Sequence, residues 1–493
     1  MATVTDRLDE VLEREAPVWG IRPVPPEHRR LSGLDFAVLW GDLAIGLLVL
    51  ITGALLVPSL GFPEALLAIV IGTLIGCVPL ALVALAGSRE NVPTMVLFRP
   101  VLGRRGSYLP SVLNIVQLVG WTGFEFWAMS LVANQMSIRV FGFSNKWLWL
   151  AVVAVLCTLL ALGGPILMVR RWLERFGAWV VAGVGAWITY QVLHKADLSH
   201  VWNAPGKGGF PGHFWLAVDL VIAMPVSWLP LVADYNRFAR SRRASVAGTY
   251  IGYSIGNIWF YALGALLVLG AGLPQFASPA QLATAIAALA GGGIVLLTLL
   301  VGETDEAFAD VYSAAVSSQN LSDRIPQRWA IVAVGAAGAG LAAWLFGRPD
   351  FGLSSYEYFL LLLGSVFVPL VGVFVADYFV LGRRGYGEVE LFEGRARSFR
   401  PLALIPWAVG FLVFQWSVPS SLGWWSDWMK ALFHGALHLP FPLWGSAAGG
   451  SIPSFAVAFL LTLLVLGPSR LGKRRRGAAP PRSSPPPDRR TRS

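Results

Sequence analysis

Charge is scarce in this 493-residue sequence: 13% of its residues are Asp, Glu, Lys or Arg, about half the share of a soluble domain. Cysteine is scarcer. There are two, Cys77 and Cys157, each inside an apolar run, so a disulfide scaffold is excluded and both read as buried thiols rather than a metal pair. The six histidines (28, 194, 200, 213, 434 and 438) fall in connections or near the ends of apolar runs. No His–Glu metal motif, Gly-rich phosphate loop or nucleophile elbow is found, which leaves no recognisable enzyme signature. The 53 glycines have no triplet period, excluding a collagen-like chain. What the sequence does have is apolar surface: 55% of residues are hydrophobic and the mean hydropathy is +0.62. Runs of about twenty apolar residues recur between Leu34 and Gly467, more than any soluble core needs. The chain therefore reads as an all-α, polytopic membrane protein.

Twelve spans are expected: 36–57, 65–86, 109–133, 147–168, 176–193, 214–233, 247–269, 291–313, 329–346, 356–380, 402–416 and 453–466. The charged N-terminal stretch with Pro23, Pro25 and Pro26 reads as a cytosolic lead-in without a cleavable signal. With the N-terminus inside, alternation puts 32 of the 38 Lys and Arg on the cytoplasmic side and six outside. Those six are Arg139, Lys146, Lys195, Lys207, Arg348 and Lys430. The asymmetry predicts both termini in the cytoplasm and a location in the cell (plasma or inner) membrane. The formal charge of +10 then needs no nucleic acid. The basic, Pro- and Ser-rich tail reads as a disordered cytosolic anchor on anionic lipid. The connection 88–108 is long and moderately apolar, and is expected at the membrane interface.

Ionisable groups within spans are costly and so mark function. The first span carries Asp42 just after Trp40 and Gly41, followed by Gly46 and Gly53. The third carries Asn114, Gln117, Trp121 and Glu125, three or four residues apart and so on one helical face. A carboxylate beside an indole at mid-span suits a planar, hydrogen-bonding ligand. The sixth is broken by Pro225 and Pro230 around Trp228 and ends at Asp234 and Arg237, a pair read as structural or snorkelling. The eighth carries Glu303, Thr304, Asp305, Glu306, Asp310 and Ser313; whether Glu303 and Glu306 coordinate or are solvated near the cytoplasmic exit stays open.

The interrupted first span matches the broken sixth, and the acidic third matches the acidic eighth. Spans one to five and six to ten therefore read as two inverted halves of a secondary transporter, with a site at mid-depth. The expected organisation is a cytosolic segment (1–33), a first repeat (34–193), a second repeat (194–381), two further spans with loops (382–467) and the basic tail (468–493).

The stretches 114–122 (NIVQLVGWT), 224–238 (MPVSWLPLVADYNRF) and 310–313 (DVYS) resemble the nucleobase–cation symporter-1 family, the permeases of cytosine, purines, allantoin, hydantoin and hydroxymethylpyrimidine. The likeness extends over most of 31–380 and is nearest to the cytosine/purine and hydroxymethylpyrimidine branch. It implies a leucine-transporter-type fold of 5+5 inverted repeats plus two helices, and symport with Na⁺ or H⁺ and no other cofactor. By this resemblance Trp121 is the stacking indole, with Gln117 beside it. Glu125 replaces a Gln of hydantoin permeases, and Asp310 replaces a substrate-binding Asn. Carbonyls near Gly41, Asp42 and Ala44 would hold the cation together with Thr304 and Asp305, which fall on the hydroxyl pair of the sodium site.

Three departures bear on this reading. Pro225 stands where hydantoin- and cytosine-type members have an aromatic, so Trp228 as second stacking wall is left open. Asp305 replaces a hydroxyl, which either strengthens a cation site or converts it to a proton site. The carboxylates Glu125 and Asp310 accept hydrogen bonds where amides also donate, so the substrate edge should present N–H or NH₂ groups. The expected activity is cation-coupled uptake of such a heterocycle by alternating access, for which a monomer suffices. The alternatives are a hydantoin- or allantoin-type carrier, an amino-acid or amine carrier of the same fold, and an integral-membrane enzyme.

Overall fold

The computed structural model describes residues 20–163, 177–208, 214–270, 279–347, 352–382, 385–387, 391–392, 398–418, 423–443 and 449–477. The described elements are helices, apart from an isolated parallel bridge between Leu31 and Ala239. The first span is two helices, α1 (Gly33–Asp42) and α2 (Leu47–Leu55), bent by 58° at their break. Spans two to five are α3 (Phe62–Glu90), α4 (Tyr108–Phe141), α5 (Lys146–Leu162) and α6 (Ala178–Lys195). The sixth is also broken, into α7 (Phe214–Ser227) and α8 (Val232–Asn236). Then come α9 (Arg242–Gly270), α10 (Gly292–Leu321), α11 (Gln327–Phe346) and α12 (Gly352–Val375), followed by α13 (Leu404–Ser417) and α14 (Ser451–Gly477). Seven helices, plus the bent pair, are by themselves long and apolar enough to cross a membrane. The acidic α10, and α5 and α13 at 17 and 14 residues, are not among them.

Local sequence explains the helix ends. Ser32 and Asp35 form a reciprocal capping box at α1, with Asp35 N donating to Ser32 Oγ at 3.2 Å and Ser32 N to Asp35 Oδ2 at 2.5 Å. At 34 residues α4 is about 50 Å long, well beyond the bilayer core, which sets Trp121 and Glu125 near its middle. Cys77 and Cys157 are buried free thiols, as expected. The last helix stays helical to Gly477, past the expected start of the tail at 468; residues 478–493 lie outside the described residues, as do 1–19 and 164–176, where parts of the lead-in and of spans four and five were expected.

Packing against the broken first span explains a run of glycines on α9. A Cβ on Gly252 would overlap Ala37 O, one on Gly256 would overlap Gly41 O, and one on Gly264 would overlap Leu50 O. The two elements therefore meet backbone to backbone, the small-residue contact typical of helices in lipid. Gly256→Leu is expected to force α9 away from Gly41, overpacking at a cost of about 1–3 kcal/mol. A lowered melting midpoint of the purified protein in detergent is the readout.

The connection 88–108 is not an interfacial segment. Residues 92–103 are all buried, forming two short helices, Thr94–Leu97 and Arg99–Leu102, under the bundle. The reason is hydrogen bonding: Thr94 N donates to Asp234 Oδ1 (3.0 Å), Ala233 N to Thr94 Oγ1 (3.0 Å), and Arg99 Nε to Asn320 Oδ1 (2.8 Å). Burial, with the nearby Arg104 charge, pulls the Arg99 guanidinium down to about 10, so it stays charged at neutral pH. The lead-in closes the same face. Val24 N donates to Asn91 O (2.9 Å), and Leu31 pairs with Phe238 and Arg240. Arg237 is buried there too, not snorkelling. It donates to Gly20 O (2.5 Å), Asp234 O (3.0 Å) and Tyr312 OH (3.2 Å), so it binds the Asp234 carbonyl and not its carboxylate.

Candidate functional site

The break in the first span frees backbone groups in the middle of the bundle, and α10 supplies side chains to meet them. Glu303 Oε1 accepts from Leu47 N, the first amide of α2. Gly46 caps that helix, and a Cβ there would overlap Glu306 Oε1 and lie 2.8 Å from Glu303 Oε1. Helix N-termini carry unsatisfied N–H groups and partial positive charge, so a carboxylate is the natural cap. Glu303 and Glu306 are 1% and 6% exposed. They belong to the centre, not to a solvated exit. From sequence they could be placed on a helical face but not opposite a partner 256 residues away.

Next to them, Asp42 at the end of α1 and Asp305 of α10 come within hydrogen-bonding reach of each other. Thr304 turns its hydroxyl to Val301 O (2.6 Å). Gly41 O accepts a long bond from Ala44 N (3.3 Å), and Ala44 is fully buried. Of the five residues expected at a cation site, Asp42 and Asp305 thus meet across the first and eighth spans, while Gly41 and Ala44 pack against Gly256 of α9 and Thr304 turns back on its own helix.

The polar stripe of α4 faces the same interior. Asn114 Nδ2 donates to Ser317 Oγ on α10 (2.8 Å). Gln117 Nε2 donates to Asn114 Oδ1 (2.7 Å) and to the carbonyl of Ser227, at the break of the sixth span (3.0 Å). A backbone carbonyl can only accept, so Gln117 is held with Oε1 free. Glu125 and Asp310 lie within hydrogen-bonding reach of each other, joining the third and eighth spans.

The aromatic walls come from four spans. Trp121 stands edge-on to Tyr356 and Phe359 of α12, with ring centroids 5.9 and 5.1 Å apart. Trp228 sits in the break of the sixth span, edge-on to Trp40 at 6.0 Å, while Trp40 Nε1 donates to Asn236 Oδ1 (3.0 Å). Sequence reasoning passed over Trp40, Tyr356 and Phe359. Tyr356 opens its predicted span and was indistinguishable from an interfacial belt residue.

One property of this interior is decisive. Asp42 Oδ1, Gln117 Oε1, Glu125 Oε2, Glu303 Oε2, Asp305 Oδ1 and Asp310 Oδ2 are buried without a hydrogen-bond donor, and every one is an acceptor. Among the described residues the buried side-chain N–H left without a partner belongs to Trp149 of the fourth span. Buried polar atoms are normally satisfied, so the cluster of six open acceptors describes a missing occupant, although the hydroxyls of Tyr253, Ser254 and Ser313 are unpartnered as well. The ligands it suits are donors.

Comparison with known proteins agrees with this architecture. Residues 23–435 match the family model described as permease for cytosine/purines, uracil, thiamine, allantoin. The hydantoin permease of Microbacterium maritypicum is 23% identical over 412 residues, 79% of this chain and 82% of that protein. The cytosine permease of Escherichia coli K12 is 24% identical over 396 residues, 80% and 88% of the two chains. Among solved structures, the nucleobase-cation-symport-1 transporter Mhp1, closed on bromovinylhydantoin, superposes with a TM-score of 0.73 at 19% identity, covering 91% of this chain and 94% of that one. A Na⁺-coupled sialic acid symporter gives 0.61 at 13% identity, with coverages of 89% and 91%. The fold is thus the leucine-transporter type with inverted repeats, and two more helices follow. With that fold, broken spans meeting at an acid-lined centre, and a family match over most of its length, the chain belongs to the permeases for cytosine/purines, uracil, thiamine and allantoin: it is a multi-pass membrane transporter, not an enzyme.

Proposed function

We propose that this permease takes up a planar nitrogen heterocycle with amino or ring N–H groups, in symport with a cation, by alternating access. The base stacks on Trp121, and Gln117, Glu125 and Asp310 read its edge. Trp228, with Trp40 behind it, stands at the sixth-span side of the site. The observation that carries the reading is the set of open acceptors on the third and eighth spans: Gln117 Oε1, Glu125 Oε2 and Asp310 Oδ2 all lack donors. Cytosine, adenine, guanine and hydroxymethylpyrimidine can turn an exocyclic NH₂ to such an edge; uracil and allantoin also carry N–H groups, but each lies beside a carbonyl oxygen that would meet the carboxylates.

The cation belongs at Gly41, Asp42, Ala44, Thr304 and Asp305. It ties the first span to the eighth and so raises substrate affinity, a reciprocal coupling typically worth about 1–3 kcal/mol. Rocking of the broken-span bundle then opens the site inward. The 32-to-6 distribution of Lys and Arg supports cytoplasmic termini in a cell membrane. The contacts of the lead-in with the ends of α3 and α8 support the same parity. One chain contains all the residues invoked, so a monomer suffices, with lipid and the small substrate as its partners.

A competition panel against tracer uptake in vesicles tests the reading. Amino-bearing bases are expected to compete at least about tenfold better than uracil or allantoin, because one unmet buried group costs about 1–3 kcal/mol. Uracil or allantoin as the best competitor would refute the donor-edge assignment. An amino-acid carrier of this fold would need the α2 N-terminus for the substrate carboxylate. Here Glu303 already occupies it, which speaks against that reading.

A further inference from the structure

We propose that Asn114 sets which base edges this permease accepts. It takes one of the two amide hydrogens of Gln117, the carbonyl of Ser227 takes the other, and Gln117 is left to meet the base as an acceptor alone. The inference rests on the carrier reading above and adds a positioning residue that acts on the base through Gln117. A glutamine side chain has two N–H donors and one carbonyl oxygen. Free to turn, it would serve a C=O edge as readily as an NH₂ edge.

The break in the sixth span supplies the first half of the clamp. In an unbroken helix Ser227 O would accept from the amide of residue 230 or 231. Residue 230 is a proline and has no N–H, and Leu231 N donates to Trp228 O instead, at 3.1 Å. The Ser227 hydroxyl does not compete for Gln117, because it donates to Met224 O at 2.7 Å. The freed carbonyl accepts from Gln117 Nε2 at 3.0 Å, and a carbonyl can do nothing else. This bond fixes which way the Gln117 amide faces.

Asn114 supplies the second half. It lies three residues before Gln117, on the same face of α4, and its Oδ1 accepts from Gln117 Nε2 at 2.7 Å. Its own Nδ2 donates to Ser317 Oγ of α10 at 2.8 Å, which keeps Oδ1 towards Gln117. Both hydrogens of the Gln117 amide are then used, while Oε1 has no donor. Turning the amide over would set Oε1 against two acceptors, Ser227 O and Asn114 Oδ1. Asn114, Gln117, Ser227 and Ser317 are at most 2% exposed, so solvent does not make good a bond lost there. The relay joins the sixth, third and eighth spans, and each link pairs a donor with an acceptor.

The test uses the full-length protein in liposomes. The tracer is whichever of labelled cytosine, adenine and hydroxymethylpyrimidine the wild type takes up, and the competitors are that base unlabelled and uracil. The readout is the ratio of their half-inhibiting concentrations, which does not depend on how much protein inserts. Asn114→Leu, similar in size, removes the acceptor and returns one N–H of Gln117 to the site. The disadvantage of uracil is expected to shrink about three- to tenfold, roughly the worth of one hydrogen bond. Asn114→Asp keeps an oxygen against Gln117 Nε2, and the Ser317 hydroxyl can reverse to donate to it, so the wild-type ratio should be retained. Ser317→Ala removes the group that orients Asn114 and should shift the ratio in the direction of Asn114→Leu, which covers the case where the leucine variant does not fold. An unchanged ratio in whichever of these two variants is active would overturn the assignment, as would an equal shift in Asn114→Asp. Wild-type protein that takes up none of the three bases, or that uracil inhibits best, would instead refute the carrier reading or its donor edge.

Discussion

Trp121→Ala is expected to lower apparent substrate affinity about 5- to 150-fold, because stacking of a base on an aromatic side chain is worth about 1–3 kcal/mol. Trp121 is 6% exposed at the middle of α4 and is buttressed edge-on by Tyr356 and Phe359, so its face is fixed before substrate arrives. The same contacts mean that truncation also removes packing, and a fall in uptake alone could reflect damage to the fold. Trp121→Phe separates the effects. It keeps a π-face and most of the packing, and should retain uptake well above the alanine variant. Tracer uptake with matched amounts of monodisperse protein is the measurement. Unaltered uptake of every base by Trp121→Ala would remove Trp121 from the site.

Gly46→Ala is expected to be nearly as damaging, although it adds a single methyl group. That Cβ would overlap Glu306 Oε1 and press on Glu303 Oε1, forcing both carboxylates away from the α2 N-terminus. Leu47 N would lose its acceptor, leaving a buried amide unpaired at a cost of about 1–3 kcal/mol. Transport should fall at least about tenfold, since that energy converts at 1.4 kcal/mol per decade. Glu306→Asp, one methylene shorter, makes room for the methyl group and should recover part of the loss in the double variant. A strictly additive double variant would show that the two positions do not meet.

Both predictions depend on residues whose importance was legible to different degrees. The stripe Asn114, Gln117, Trp121 and Glu125 was readable because helical periodicity puts spacings of three and four on one face, and lipid cannot satisfy such a face. The breaks near Gly46 and Pro225 were readable for a related reason: interrupted helices survive in a membrane only where the freed backbone finds partners. The partners themselves were not readable. Glu303 could equally have been solvated until α10 was seen against α2. Asp234 and Arg237 could be structural or snorkelling until Arg237 was seen buried and bonded to the Asp234 carbonyl. The connection 88–108 has interfacial composition, yet its hydroxyl and guanidinium groups satisfy the ends of α8 and α10 and draw it under the bundle.

The sequence by itself determined the class, the succession of apolar helices, the broken pair and the polar faces, because hydropathy and helical period are local properties and the bilayer punishes any violation of them. Tertiary structure decided which acid meets which. Contacts such as Leu47 with Glu303, Asp42 with Asp305 and Glu125 with Asp310 join spans far apart in the chain, and periodicity gives the direction of a side chain but never what stands opposite. The few acids left in a charge-poor chain could be located from sequence. That their unpaired oxygens come together in one interior is a property of packing.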